Sequence, residues 1–317
     1  MMNFGFDRQL VWFFAGVLAF LVVATVVGRV LAHRAGDPPR RATLANLNAR
    51  INAWWAMVAV FTVAILGGRT GALVLFGLIS FLALREFVAL APTRRADHRT
   101  LFYGFFAAIP LQYYLLSIEW YGLFSILIPV YAFLYVPIRS VLSGDTDRFL
   151  ERIATIQWGL MICVYCVSHA PALLILDIPG YEGQNAKLLL YLLLVVQMSD
   201  VLQYVWGKLA GRRAVAPTVS PNKTVEGLVG GVACATLLGA ALWPMTPFRP
   251  WQAAAMALVV TLMGFAGGLT MSAIKRDRGV KDFGTIIAGH GGILDRIDSV
   301  CFAAPVFFHL TRYFFTL

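Results

Sequence analysis

LVWFFAGVLAFLVVATVVGRVL, Leu10–Leu31, runs for 22 residues with one charge, Arg29. As a helix it would rise roughly 33 Å, enough to cross a bilayer core of about 30 Å. It lacks a small-residue cleavage site after the apolar stretch, so it reads as a retained helix and not a signal peptide. Similar runs recur at Ile51–Leu66, Gly71–Leu90, Leu188–Trp206, Val225–Trp243, Trp251–Met271 and Ser299–Phe315. The 317-residue chain is 59% apolar and only 13% charged, against roughly a quarter charged in soluble domains. These features predict an all-α, polytopic integral membrane protein with nine to ten transmembrane helices. The ten candidate spans are 10–32, 51–67, 71–91, 101–117, 120–137, 153–176, 188–206, 225–243, 251–271 and 299–315. Pro110 and Pro129 interrupt the short fourth and fifth spans, which is why nine is an alternative count. We divide the chain into N-terminal transmembrane helices (1–152) and a C-terminal transmembrane region with polar motif loops (153–317).

The basic residues set an orientation. Alternate loops hold nineteen Lys and Arg, ending with Lys208, Arg212, Arg213 and Lys223 and then Lys275, Arg276, Arg278, Lys281 and Arg296. The opposite loops hold five: Arg8, Arg69, Lys187, Arg249 and Arg312. The positive-inside rule puts the richer set in the cytoplasm, with both termini outside, as in a bacterial inner membrane. The net charge of +10 therefore suits anionic lipid head groups. Nucleic acid is not indicated, because the basic residues are spread over five short loops without a binding motif. Cys163, Cys166, Cys234 and Cys301 all sit in apolar segments and read as small hydrophobic side chains. The spacing Cys163-Val-Tyr-Cys166 has no second pair to make a zinc or redox site.

Polar chemistry collects in two of the basic loops. The first follows Asp200, a carboxylate near the end of an apolar run. Such a group is expensive in a membrane and faces protein or water. It reads either as a partner for a nearby cation or as a ligand for a metal or polar substrate group. SPNKTVEGLVGG, Ser220–Gly231, comes next. Ser220, Asn222 and Thr224 offer hydroxyl and amide groups, Pro221 fixes a turn, and Lys223 suits a phosphate. Thr224 is placed to cap a helix opening at Val225, whose free N–H groups favour an anion. Glu226 in that first turn would repel phosphate unless a cation lies between them. The Gly-x4-Gly-Lys spacing of a P-loop is absent.

The second loop, SAIKRDRGVKDFGTIIAGHGGILDRID (Ser272–Asp298), holds nine charged side chains, a histidine and five glycines. Lys275, Arg276, Arg278, Lys281 and Arg296 supply positive charge. Asp282, Asp295 and Asp298 supply hard oxygen ligands of the kind magnesium takes alongside substrate phosphates. Asp295 and Asp298 are spaced i, i+3, on one face of a helix starting there. Gly289, Gly291 and Gly292 bare the backbone for close approach of a phosphate. His290 is placed to donate to a phosphate oxygen. The residues thus indicate a membrane-embedded site, open to the cytoplasm, that handles phosphates with a metal.

The pattern S-A-I-K-R-x4-K-D-x-G-x2-I-A-G-H-G-G-I-L-D-R-I-D resembles the signature of the phosphatidate cytidylyltransferases, the CDP-diacylglycerol synthases. SPNKTVEGLVGG resembles a second motif of that family, and the two occur in family order. The resemblance covers about Val195 to the C-terminus. Before that it extends to apolar character and Arg85-Glu86-Phe87. Two positions depart: Ala288 stands where the family usually has proline, and Gln203 where it more often has a small residue, which leaves a paralogue with altered substrate open. The resemblance implies transfer of CMP from CTP to phosphatidate in phospholipid biosynthesis, with release of pyrophosphate. It implies magnesium, with room for a second cation, at Asp200, Asp282, Asp295 and Asp298. It assigns catalysis to Lys281, Asp282, His290, Asp295 and Asp298. Nucleotide binding falls to Ser220, Lys223, Thr224, Lys275, Arg276, Gly289, Gly291, Gly292 and Arg296. The implied partners are CTP, phosphatidate or a related lipid phosphate, and membrane lipids, with a homodimer left open. The competing readings are a cytidylyltransferase for another lipid phosphate and a non-catalytic lipid-handling or transport protein.

Overall fold

The computed structural model describes residues 8–34, 37–287 and 291–316. Ten helical rods follow one another: α1 (Arg8–Arg34), α2 (Pro38–Leu66), α3 (Gly68–Ala89), α4 (98–117), α5 (Tyr121–Val141), α6 (Phe149–Ile175), α7 (Asn185–Ala210), α8 (Val225–Ala241), α9 (Pro250–Asp277) and α10 (Leu294–Phe315). They match the ten spans read from the sequence, and the chain is an all-α polytopic membrane protein. Among the described residues, seven of the ten are long and apolar enough to cross a bilayer on their own terms: α1, α2, α3, α5, α6, α7 and α9. α8 is apolar but only 17 residues long. α4 is broken, and α10 is diluted by Asp295, Arg296, Asp298, His309 and Arg312.

The breaks have physical causes. A proline inside a helix lacks an N–H and pushes away the carbonyl one turn back. α5 widens to a π-helix over Leu127–Ala132, around Pro129, and α4 over Gly104–Ala108, just before Pro110. α6 has a third such stretch at Met161–Cys166. It holds Cys163 and Cys166, which are free thiols in the apolar interior, as their sequence context predicts.

The described residues also include two short strands. Ala214–Ala216 and Ser220–Thr224 pair as a small antiparallel hairpin, β1 and β2, between α7 and α8. The sequence reading foresaw a turn at Pro221 and the α8 cap, but not the strands. Thr224 does cap α8: the Gly227 N–H donates to its Oγ1 at 3.1 Å. The Glu226 carboxylate is engaged by Arg212 and Arg213. It accepts from the N–H groups of Arg212 (2.9 Å) and Arg213 (3.1 Å), tying the hairpin's entry to the helix.

α7 to α10 pack as a bundle whose centre is aliphatic and aromatic, with Leu189, Tyr191, Leu192, Val260, Ala304 and Phe307 wholly buried. α3 and α6 pack against α10 from the other side, while α1 lies at the edge beside α2. The α7–α8 contact is close enough to require glycine at 231, where a Cβ would come within 2.6 Å of the Gln203 backbone. The basic loops were read as orientation and lipid-contact residues, and Arg152 departs from that. It is buried and paired with the buried Asp97 at 3.2 Å and with Asp145 at 3.2 Å. It also donates to the carbonyls of Asp145 and Asp147.

Candidate active site

The ends of α3, α7 and α9 and the starts of α8 and α10 meet at the basic end of the bundle. Asp200, on α7, lies beside α10. Its Oδ2 accepts from Ser299 Oγ at 2.7 Å. Asp298 is the next residue back on α10. Its Oδ1 accepts from the Ser299 N–H at 2.8 Å and lies 3.5 Å from Ser299 Oγ. Ser299 therefore bridges two carboxylates 98 positions apart in sequence. The hairpin delivers the cation. Lys223, on β2, extends its ammonium toward Gly268 of α9, with Nζ 5.0 Å from the centre of the Phe265 ring. A Cβ on Gly268 would meet Lys223 Nζ at 2.7 Å, Ser299 Oγ at 3.5 Å and Asp298 Oδ2 at 3.9 Å. The missing side chain of Gly268 is the space in which these groups converge. Partial burial lowers the Lys223 ammonium from its ordinary range, while the carboxylates of Asp200 and Asp298 oppose that shift.

Asp295 faces elsewhere. It is buried, its Oδ1 takes the Lys275 ammonium at 2.8 Å, and its Oδ2 accepts from the N–H groups of Phe283 (2.8 Å) and Gly292 (3.0 Å). The i, i+3 pair thus serves two surroundings: Asp298 looks toward Lys223, and Asp295 binds the loop. Lys275 also sits 5.3 Å from the Phe283 ring centre. Asp282 is exposed, and its side chain lies against Gly291, which needs its positive φ of 82°. Lys281 is exposed. Arg276 donates to the carbonyls of Val219 (3.3 Å) and Val280 (3.1 Å), joining hairpin and loop. Ser220 pairs with Ala216 within the hairpin. The Arg296 carbonyl accepts from Gln197 at 3.1 Å, while its Nε is buried without a hydrogen bond. Gln203 donates to Ser199 Oγ at 2.7 Å on its own helix. Ala288, Gly289 and His290 lie outside the described residues.

The sequence reading missed three participants. Ser299 follows the signature and looks like an ordinary helical serine. Gly268 sits in a run of small residues. Glu86 of α3 is a single acid at the end of an apolar helix. It accepts from the N–H groups of Ile293 at 3.0 Å and Leu294 at 2.9 Å, at the start of α10. The one available signal for it was the Arg85-Glu86-Phe87 match.

A half-buried carboxylate pair bridged by the buried Ser299 beside a lysine, at the basic end of a bundle of apolar helices, is suited to phosphate chemistry on a membrane substrate. Comparison with known proteins agrees. The model of the Cytidylyltransferase family matches residues 48–314. The chain belongs to the cytidylyltransferase family. It is 42% identical over 300 residues to the uncharacterized protein YnbB of Escherichia coli K12, covering 94% of this chain and 97% of that one. It is 33% identical over 193 residues to the phosphatidate cytidylyltransferase of Staphylococcus aureus strain COL, covering 58% and 74%. The corresponding protein of Staphylococcus saprophyticus is 39% identical over 130 residues, covering 40% and 50%. Cytidylyltransferase membership gives this chain a nucleotidyl-transfer reaction of the lipid type, with nucleotide and lipid substrates. It also implies a divalent-cation requirement. No cluster of three metal-ligating side chains is preformed among the described residues. The Asp200–Asp298 pair still fits magnesium, which is held by one or two carboxylates with phosphates and water completing its shell.

Proposed function

We propose that this protein transfers CMP from CTP to phosphatidate, forming CDP-diacylglycerol and pyrophosphate, at a site facing the cytoplasm of a bacterial inner membrane. The observation that carries this reading is the convergence of Asp200, Asp298, Ser299 and Lys223 around Gly268 at the basic end of the helices. A phosphatidate oxygen attacks the α-phosphorus of CTP, the bond to the β-phosphate oxygen breaks in line, and pyrophosphate leaves. Two anions must meet, so the chief task of the site is to offset their repulsion and align them.

In this reading Asp200 and Asp298 hold a divalent cation. When bound, it supplies positive charge to phosphate oxygens at the point of transfer. Lys223 places an ammonium beside the pair, where partial exclusion of water strengthens its attraction for phosphate. Ser299 spends its one proton on Asp200, which fixes the carboxylate's rotamer. Asp295 and Lys275 hold the loop, while Lys281, Asp282, Arg276 and Arg296 border the nucleotide phosphates. The diacyl tails stay in the bilayer while the head group reaches the helix ends. No protein nucleophile is needed, because a phosphate monoester attacks directly.

The test is an acceptor panel. Purified protein in detergent with added lipid is given CTP, magnesium and one lipid phosphate at a time. Phosphatidate should be the preferred acceptor. Preference for another lipid phosphate would leave the site reading intact but assign a different substrate, and Gln203 would then be the first residue to change.

A further inference from the structure

We propose that Glu86 is a positioning residue that sets the start of α10, and with it the placement of Asp298 and Ser299 against Asp200 and Lys223. The inference rests on the reading of those four residues as the reacting site.

Glu86 is 5% exposed, and no cation lies within ion-pair distance of it among the described residues. A buried carboxylate without a counter-ion is costly unless strong donors satisfy it. Here the donors are backbone N–H groups. Ile293 donates to Oε1 and Leu294 to Oε2, so both oxygens are used on two successive residues at a helix start. The positive end of that helix supplies the remaining stabilisation. Two glycines let the carboxylate in. A Cβ on Gly284 would fall 2.6 Å from Glu86 Oε1, and a Cβ on Gly292 would fall 2.6 Å from Glu86 Cδ. The neighbouring Phe87 ring stacks on Phe283, with centroids 6.4 Å apart. α3 thus grips both ends of the 283–292 loop, while Asp295 closes the same loop from inside.

Asp298 lies one helical turn beyond Leu294. A rotation or slip of the α10 start would carry Asp298 and Ser299 away from Asp200, although Glu86 touches neither. The two-oxygen, two-donor geometry resists that slip in a way a single hydrogen bond does not. It also means that the N-terminus of α10 is already filled and is not the phosphate site.

The test compares Glu86→Gln, Gly284→Ala and Asp298→Asn with wild type. For each, kcat and KM for CTP are measured per folded molecule, and CTP affinity is measured separately by calorimetry. The amide of Glu86→Gln keeps one acceptor and turns a second donor toward an N–H. Gly284→Ala keeps the acid and displaces it. Both should lower kcat about 10- to 100-fold, the scale of a small misplacement of reacting groups, with CTP affinity changed by no more than about threefold. If Glu86→Gln fails to fold, Gly284→Ala decides alone, and the reverse holds. A foldable variant whose kcat equals wild type, with Asp298→Asn inactive, overturns the positioning role. Asp298→Asn at full wild-type turnover would instead overturn the site reading beneath it.

Discussion

Ser299 Oγ donates to Asp200 Oδ2 at 2.7 Å and thereby joins α10 to α7 at the point where Asp298 also approaches. Removing that hydroxyl takes away the one hydrogen bond from α10 to Asp200 among the described residues. Ser299→Ala should cost about 1–3 kcal/mol wherever the Asp200 rotamer matters. If it matters at the transition state, that is roughly a 5- to 150-fold loss in kcat/KM. Steady-state turnover of the variant beside Asp200→Asn checks this, and the serine variant should be the milder of the two.

Lys223 and Gly268 should be energetically coupled. A methyl at 268 would sit 2.7 Å from the ammonium nitrogen, so Gly268→Ala has to push the lysine aside. We expect each of Gly268→Ala and Lys223→Ala to lower kcat/KM for CTP about tenfold or more. The double variant should be little worse than Lys223→Ala alone, because the methyl then has no ammonium to displace. Additive losses would mean that Gly268 acts through something other than Lys223.

Gly231 and Gly230 make a contrasting pair on the α7–α8 contact. A Cβ at 231 meets the Gln203 backbone, which cannot move without shifting a helix. At 230 the obstacle is the Trp206 ring, a half-exposed side chain that can rotate away. Gly231→Ala should lower stability in detergent by about 1–3 kcal/mol, and Gly230→Ala by clearly less. Thermal midpoints of the two variants test the difference.

Asp145, in the loop between α5 and α6, gives a pH dependence. The Asp147 N–H holds its carboxyl below the usual aspartate value of 3.8, and the guanidinium groups of Arg152 and Arg94 add to this. A depressed native value stabilises the fold at every pH above the ordinary one, and that contribution fades as pH falls through the depressed value. Asp145→Asn should therefore melt below wild type near neutral pH, and the gap should begin to narrow below about pH 4. Melting curves at pH 7 and pH 3 decide it; an unchanged gap would exclude Asp145 as the cause.

Apolar length made seven of the ten rods readable, because a bilayer imposes its thickness on any sequence that crosses it, and the alternation of basic loops helped to place the other three. Asp200 was legible for a related reason: a lone carboxylate in an apolar run must face something polar. The two motif loops were legible by their density of charge and glycine. What the loops would touch was not. Asp295 and Asp298 look equivalent in sequence, yet their i, i+3 spacing rotates them enough for one to bind the loop and the other to face Lys223. Glu86 lies some two hundred positions before the residues it holds, and apart from the Arg85-Glu86-Phe87 match nothing local distinguishes it from a solvated acid at a helix end. The β1–β2 hairpin escaped because its short strands carry no alternating pattern. The partnership of Arg152 with Asp97 likewise depends on the packing of α6 against the distant turn before α4.

The central claim is that nucleotidyl transfer to a lipid phosphate takes place between Lys223 and the Asp200–Asp298 pair. It is tested most directly by following label from CTP into lipid. Purified protein receives phosphatidate, magnesium and CTP labelled at either the α- or the γ-phosphorus. The account predicts α-label in the organic phase, γ-label only in aqueous pyrophosphate, and loss of lipid labelling in folded Asp298→Asn. γ-Label in the lipid, or wild-type α-labelling in the Asp298→Asn variant, would contradict it.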